Sequence, residues 1–244
     1  MDLVSVIIPS YNRFNFLLNA IKSIKAQTYK NIEIIVINDA STEKEYTEYD
    51  WEAEDVKIIH LKENTRAKYK DIYSTVSCIG LVRNTGIDTS KGSYIAFCDD
   101  DDIWFPKKIE LQINAMKNTG CKMSSTDGLI GSGVYNESNT YSKYNQEAFY
   151  NCIRDNYKSK GSNLMDSGFP DIWTLDFLLI HNSIVTSSVL IHKDILQTIS
   201  SFKVVRGISE DYDCWLRDLS HTNLVYVNDI CFYYDNCHGS GSNY

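Results

Sequence analysis

The stretch Ser93–Trp104 reads SYIAFCDDDDIW: an apolar run from Tyr94 to Cys98 is followed without a break by Asp99, Asp100, Asp101 and Asp102. The apolar half has the length and composition of a strand covered on both faces. The carboxylates that end it need a separate reason. Adjacent carboxylates raise one another's pKa and destabilise the local chain unless a cation neutralises them. A capped turn leading into a helix near Pro106 accounts for one or two aspartates, not for four. A D-x-D arrangement instead supplies oxygen ligands suited to Mg²⁺ or Mn²⁺, which keep positions open for a substrate phosphate.

Similar Val- and Ile-rich runs precede this one, at Leu3–Ile8, Ile32–Ile37 and Val56–Leu61. Between the first two, Phe14, Leu17, Leu18, Ile21 and Ile24 form a stripe near a 3.6-residue period, predicting a helix over 14–27. Further helices are expected over 71–89 and from Pro106 onward. This βαβ order predicts an α/β fold with a mostly parallel central sheet flanked by helices. Residues 43–55 (EKEYTEYDWEAED) read as a solvated helix or loop, and 128–170 as irregular loops with one or two helices. Strands are expected again at 182–192, 224–227 and 231–234, with a helix over 211–220 before the last two.

In a parallel sheet, ligands bind beyond the carboxyl ends of the strands. Pro9-Ser10-Tyr11-Asn12-Arg13 follows the first run, Asn38-Asp39-Ala40-Ser41 the second, and the aspartates the fourth. Taken singly, Asn12, Asp39 and Ser41 are good caps and turn formers. Their joint delivery to one rim is what suggests a site.

Composition narrows the classes. The chain has 244 residues and a formal charge of −8, which argues against a general nucleic-acid binder. Its seven cysteines include no C-x-x-C pair, so zinc spacing is absent and a reducing, cytoplasmic setting fits best. No run approaches the roughly 18 apolar residues of a membrane span. The first βα turn lacks the glycine fingerprint of a dinucleotide-binding dehydrogenase.

The ordered blocks VSVIIPSYNR (4–13), IEIIVINDAST (32–42), VRNTGIDTSKGSYIAFCDDDDIWFPKKIELQI (82–113), NSIVTSSVLIHKDIL (182–196) and SEDYDCWLRDL (209–219) resemble family 2 glycosyltransferases, and a weaker block covers 233–242. Roughly 120–181 stays unmatched. The resemblance implies a GT-A fold in one domain, 1–119 forming the nucleotide-sugar half and 120–244 the acceptor half. It implies a non-processive, inverting, metal-dependent transfer from a nucleotide sugar, a UDP-sugar being favoured, to a glycan, glycolipid or protein-linked acceptor. Peripheral membrane association is compatible with this reading; the Q-x-x-R-W motif of processive synthases is absent.

By the same resemblance, Pro9, Tyr11 and Asn12 together with Asp39 hold the base, Tyr11 packing on uracil and Asp39 accepting its N3–H. Arg83 faces nucleotide or phosphate, or else makes a helix-surface ion pair. Asp101 is the first choice as ligand to Mn²⁺ or Mg²⁺ and Asp99 the second; Asp100 reaches the ribose, and Asp102 caps the next helix or approaches the sugar. Asp211 is the general base, supported by Glu210, although two acids at a helix N-terminus are also favourable electrostatically. Trp215 and Trp104 each stack on a sugar or fill the core. His238 lies where the family often places a histidine near the metal. A GT-A domain that binds nucleotide or glycan without turnover is the alternative.

Overall fold

The computed structural model describes residues 1–69 and 77–236. Its strands are β1 (Val4–Ser10), β2 (Ile32–Asn38), β3 (Val56–His60), β4 (Tyr94–Phe97), β5 (Ile103–Trp104), β6 (Met123–Gly131), β7 (Ser142–Lys143), β8 (Ile172–Trp173), β9 (Leu190–His192) and β10 (Leu224–Asp235). They form one sheet in the order β3-β2-β1-β4-β9-β6-β10-β5, with β7 on β6 and β8 on β10. Strands β1 to β4 are mutually parallel, β9 runs antiparallel to both β4 and β6, and β6 and β10 are parallel again.

The longer helices are α1 (Phe14–Lys25), α2 (Ile79–Thr89), α3 (Lys108–Thr119), α4 (Tyr150–Ser159) and α5 (Glu210–Leu219). Alternation along β1 divides the core: Val4, Val6 and Ile8 pack with Leu17, Ile21 and Ile24 of α1, while Ile7 packs with Val82 and Ile87 of α2. Helix α2 lies close to β1 because Gly86 has no side chain; a Cβ there would sit 2.5 Å from Ile7 Cγ2. No described helix is long and apolar enough to cross a membrane.

Several expectations change. Residues 43–55 are mostly exposed and include a short helix, Glu45–Glu48, as expected, but Tyr46 and Trp51 depart from that reading: both are buried against Phe14, whose ring meets theirs edge to face. The acidic residues between them mask this aromatic anchor. The expected strand at 182–192 shortens to Leu190–His192, because Thr186–Ser188 forms a tight helical turn instead. The two terminal strands are one, β10, with its register on β6 shifted between Val227 and Ile230.

Most consequential is β6, an internal strand at the edge of the region expected to be irregular. Its residues Ser124, Ser125, Thr126 and Asp127 are all buried. They carry no hydrophobic signal, and hydrogen bonds hold Ser124, Ser125 and Asp127 in place of apolar packing: Gln112 Nε2 donates to Ser124 O, the Ser125 and Ser188 hydroxyls bond at 2.7 Å, and Asp127 Oδ1 accepts from Asn145 N. Helix α2 is described from Ile79; residues 71–76 of the expected helix lie outside the described residues.

Candidate active site

The rim begins at the end of β1. Asn12 and Ala40 both adopt left-handed backbone, at φ 51° and 60°, so the chain turns sharply after β1 and again after β2. Asn12 Oδ1 accepts from Thr42 N at 2.7 Å and thereby ties the two turns together. Pro9 is buried beneath them and Tyr11 is half-buried at the rim.

Asp39 is wholly buried, and burial raises its pKa against the opposing effect of its bonds to Thr65. Its Oδ1 accepts from Thr65 N (2.8 Å) and Thr65 Oγ1 (2.6 Å), and its Oδ2 from Asn64 Nδ2 (2.9 Å). In the structure Asp39 anchors the loop at Asn64 and Thr65, and Oδ2, with one side-chain donor, keeps a second lone pair.

The four aspartates take four different environments. Asp100 is buried, accepting from Ser10 Oγ–H at 2.6 Å and from Arg13 Nη1 at 3.3 Å. Burial and the neighbouring Asp101 charge raise its pKa, and Arg13 opposes them. Asp101 pairs with the same Arg13 nitrogen at 2.6 Å and is also nearly closed to solvent. Asp102 is fully buried, with Oδ1 accepting from Asp235 N at 3.1 Å; it staples the aspartate loop to β10 and does not reach toward a sugar. Asp99 alone remains partly open, its side chain 26% exposed, with Oδ1 accepting from Arg83 Nη2 at 2.6 Å.

Arg83 is buried on α2, over the Phe202 ring, and its Nη1 lies 3.6 Å from Glu210 Oε1. Burial disfavours its charge, but Asp99 and Glu210 together hold its pKa above the ordinary value. Glu210 is buried in the first turn of α5; burial raises its pKa and Arg83 counteracts this. Asp211 follows it, half-buried, with Oδ2 accepting from Thr186 Oγ1 at 3.2 Å.

These groups share one cleft of about 290 Å³, lined by Arg83, Asp99, Glu210 and Asp211, by Tyr144 and Tyr234, and by the 182–186 segment. The turn at Thr186–Ser188 serves it twice, since Ser187 Oγ accepts from Asp99 N at 2.9 Å while Thr186 holds Asp211.

Both tryptophans belong to the core. Trp104 is 2% exposed, donates to Ser187 O and lies under Lys108 Nζ; Trp215 is wholly buried against Phe97 and Phe202. Neither indole offers a face to a sugar. His238 lies outside the described residues. Arg13, Ser10, Thr186 and Tyr144 carry parts of the site that the sequence reading did not assign. Arg13 had a signal, because two buried neighbouring carboxylates require a cation nearby.

The oxygen-only donor set suits a hard divalent cation. Among the described residues no cluster of three or more His, Cys, Asp or Glu forms a metal cage. A cation held by one or two carboxylates together with substrate phosphate fits that arrangement. Asp99 offers an accessible carboxylate, and Asp101 one that Arg13 already engages.

Comparison with known proteins gives the family and the fold. The family profile described as Glycosyl transferase family 2 matches residues 5–72 and 78–176, reaching well into the segment that the motifs left unmatched. An uncharacterized glycosyltransferase of Rickettsia prowazekii is 30% identical over 93% of this chain, which spans 62% of that protein. The Escherichia coli UDP-Glc:alpha-D-GlcNAc-diphosphoundecaprenol beta-1,3-glucosyltransferase WfaP is 38% identical over 48% of this chain and 42% of its own length. The fold matches S. aureus TarS 1-349 in complex with UDP-GlcNAc, with a TM-score of 0.68 at 14% identity over 99% of this chain and 61% of that one. It also matches the mannosyltransferase PcManGT of Pyrobaculum calidifontis in complex with GDP-Man and Mn²⁺, with a TM-score of 0.61 at 17% identity over 96% of this chain and 56% of that one. The chain has the GT-A fold and belongs to glycosyl transferase family 2.

Proposed function

We propose that the cleft transfers a single sugar, with inversion, from a UDP-sugar to an acceptor hydroxyl in a reaction that depends on a divalent metal. One observation carries this reading: Asp99 and Arg83 meet Glu210 and Asp211 in the same cleft. An inverting displacement needs donor-phosphate chemistry on one side of the anomeric carbon and a base on the other, with the acceptor oxygen in line.

Glu210 is turned toward Arg83, so Asp211 is the carboxylate presented to an acceptor. The Thr186 hydroxyl fixes its orientation, and Asp211 takes the acceptor proton as the hydroxyl attacks. Arg83 contributes a buried positive charge beside the donor phosphates. Asp99 and Asp101 are the residues that would hold Mn²⁺ or Mg²⁺. When bound, the cation supplies charge neutralisation for the leaving diphosphate.

The name of WfaP and the UDP-GlcNAc complex of TarS support a uridine donor. The GDP-Man complex of PcManGT makes guanosine the competing choice, so a test must include both. The protein is incubated with Mn²⁺ and, separately, UDP-glucose, UDP-N-acetylglucosamine and GDP-mannose, and nucleoside diphosphate release is followed. Release from a UDP-sugar, at least tenfold above that from GDP-mannose and abolished by EDTA, is expected. Release of GDP alone contradicts the uridine assignment, and release indifferent to EDTA contradicts the metal. The anomeric configuration of the product tests inversion.

A further inference from the structure

Three departures from regular backbone converge at a second cavity. The first is a π-helical turn, Tyr144–Phe149. The second is the irregularity in β10, where the shift between Val227 and Ile230 leaves Asn228 and Asp229 extruded and exposed. The third is Gly168, at φ +117° with no atom within 4 Å of where a Cβ would stand. π-turns and bulges recur at functional sites because they re-aim side chains that a regular element would direct elsewhere. Here Gln146 of the π-turn, Asn228 of the bulge, and Tyr150, Ser167, Gly168 and Phe169 line a cavity of about 300 Å³.

The lining points to a class of ligand. It contains two aromatic rings, two primary amides and the hydroxyls of Ser167 and Tyr150, with no carboxylate or cationic side chain. The rings are braced: Tyr150 and Phe169 meet edge to face at 5.6 Å, the Tyr150 hydroxyl donates to Met165 O, and Phe169 rests on Trp173 and Tyr226. The amides are joined, Gln146 Nε2 donating to Asn228 Oδ1. A pyranose ring has apolar C–H faces for aromatic contact and hydroxyls that need donors and acceptors together, which amides supply. Without a cationic side chain the cavity lacks the charge-assisted hydrogen bonds that favour a phosphate or carboxylate.

The π-turn also connects the cavity to the cleft. Tyr144, its first residue, lines the cleft, and Gln146 lines the cavity. Asp127 on β6 fixes this element, its Oδ1 accepting from Asn145 N at 2.8 Å and its Oδ2 from Gln146 N at 3.3 Å. On β10, Asn228 of the cavity and Tyr234 of the cleft are six residues apart, at most about 20 Å for an extended chain and less across the two register shifts between Val227 and Tyr233.

We propose that this cavity is a distal subsite for a neutral sugar unit of the acceptor, several units from the hydroxyl that reacts. The proposal rests on the transferase reading of the cleft. It predicts that longer neutral glycans bind better than short ones, and that the gain depends on Asn228 and Ser167.

The test uses an array of immobilised neutral oligosaccharides of one to six units, built from glucose, galactose, mannose and N-acetylhexosamines. It is probed with labelled wild-type protein, Asn228→Ala and Ser167→Trp, the last filling the cavity from its rim. Both substitutions are at exposed positions, and UDP affinity with Mn²⁺ is measured in parallel as a control on the cleft. The wild type is expected to bind glycans of three or more units, and both variants to lose at least tenfold on those spots while UDP affinity stays within twofold. Unchanged binding by both variants overturns the proposal, as does a wild type that binds none of the saccharides. Failure of the transferase reading looks different: the wild type then releases no nucleoside diphosphate from any donor.

Discussion

Arg13 is the residue on which the aspartate loop most depends. It is buried, it engages both Asp100 and Asp101 through Nη1, and removing it leaves two buried carboxylates without their shared cation. Arg13→Met is therefore expected to lower unfolding stability by about 3–5 kcal/mol, read from the urea midpoint. Lys108 is a second buried charge, with Nζ over the Trp104 ring at 4.1 Å and donating to Gln112 Oε1. Burial pulls its pKa down to about 7. The unfolded chain, whose lysine titrates near 10.4, binds more protons than the native state between roughly pH 7 and 10.4, so this residue's contribution to stability rises with pH across that window. Below pH 7 the contribution is level. Other groups titrate in the same range, so the informative quantity is the difference between wild type and Lys108→Met. That difference should move against the variant by a few kcal/mol between pH 7 and 10, and a flat difference would contradict the buried charge. The sequence showed Arg13 inside a motif but not its use, because its partners lie 87 and 88 positions away.

Gly86 lets helix α2 pack closely on the Ile7 side chain of strand β1. Gly86→Ala is expected to cost about 1–3 kcal/mol by overpacking, even though alanine favours helix, and to displace Arg83 on the same helix. Thermal unfolding measures the first effect and weakened UDP affinity the second. The contrast between β1 and β6 shows what an element reveals of itself. β1 is legible because a doubly covered parallel strand is nearly all Val and Ile. β6 is equally buried yet polar from Ser124 to Asp127, its burial made tolerable by partners on α3, on the turn at 186–188 and on the π-turn. No local pattern announces partners supplied by distant elements. The acidic 43–55 segment misleads for the opposite reason, its anchors Tyr46 and Trp51 standing among charges that remain at the surface.

Across the molecule, the sheet collects residues from positions as far apart as 10 and 235 around one aspartate loop. The rim was legible because parallel strands must end on the same side, and strand ends bearing Asn, Asp and Ser are visible in sequence. The division of labour among the four aspartates was not, since it depends on three-dimensional partners: Ser10 and Arg13 for Asp100, Arg13 for Asp101, Asp235 N for Asp102 and Arg83 for Asp99. Asp99→Asn is accordingly expected to weaken Mn²⁺-dependent UDP binding at least tenfold by titration calorimetry. The most direct test of the central claim, that one cleft holds donor chemistry and base together, compares wild type with Asp211→Asn for UDP affinity in Mn²⁺ and for donor turnover. UDP affinity is expected to stay within about twofold while turnover falls by a factor on the order of 10²–10⁴. Turnover that survives the substitution, or a wild type that binds UDP but turns over no donor, would contradict the claim.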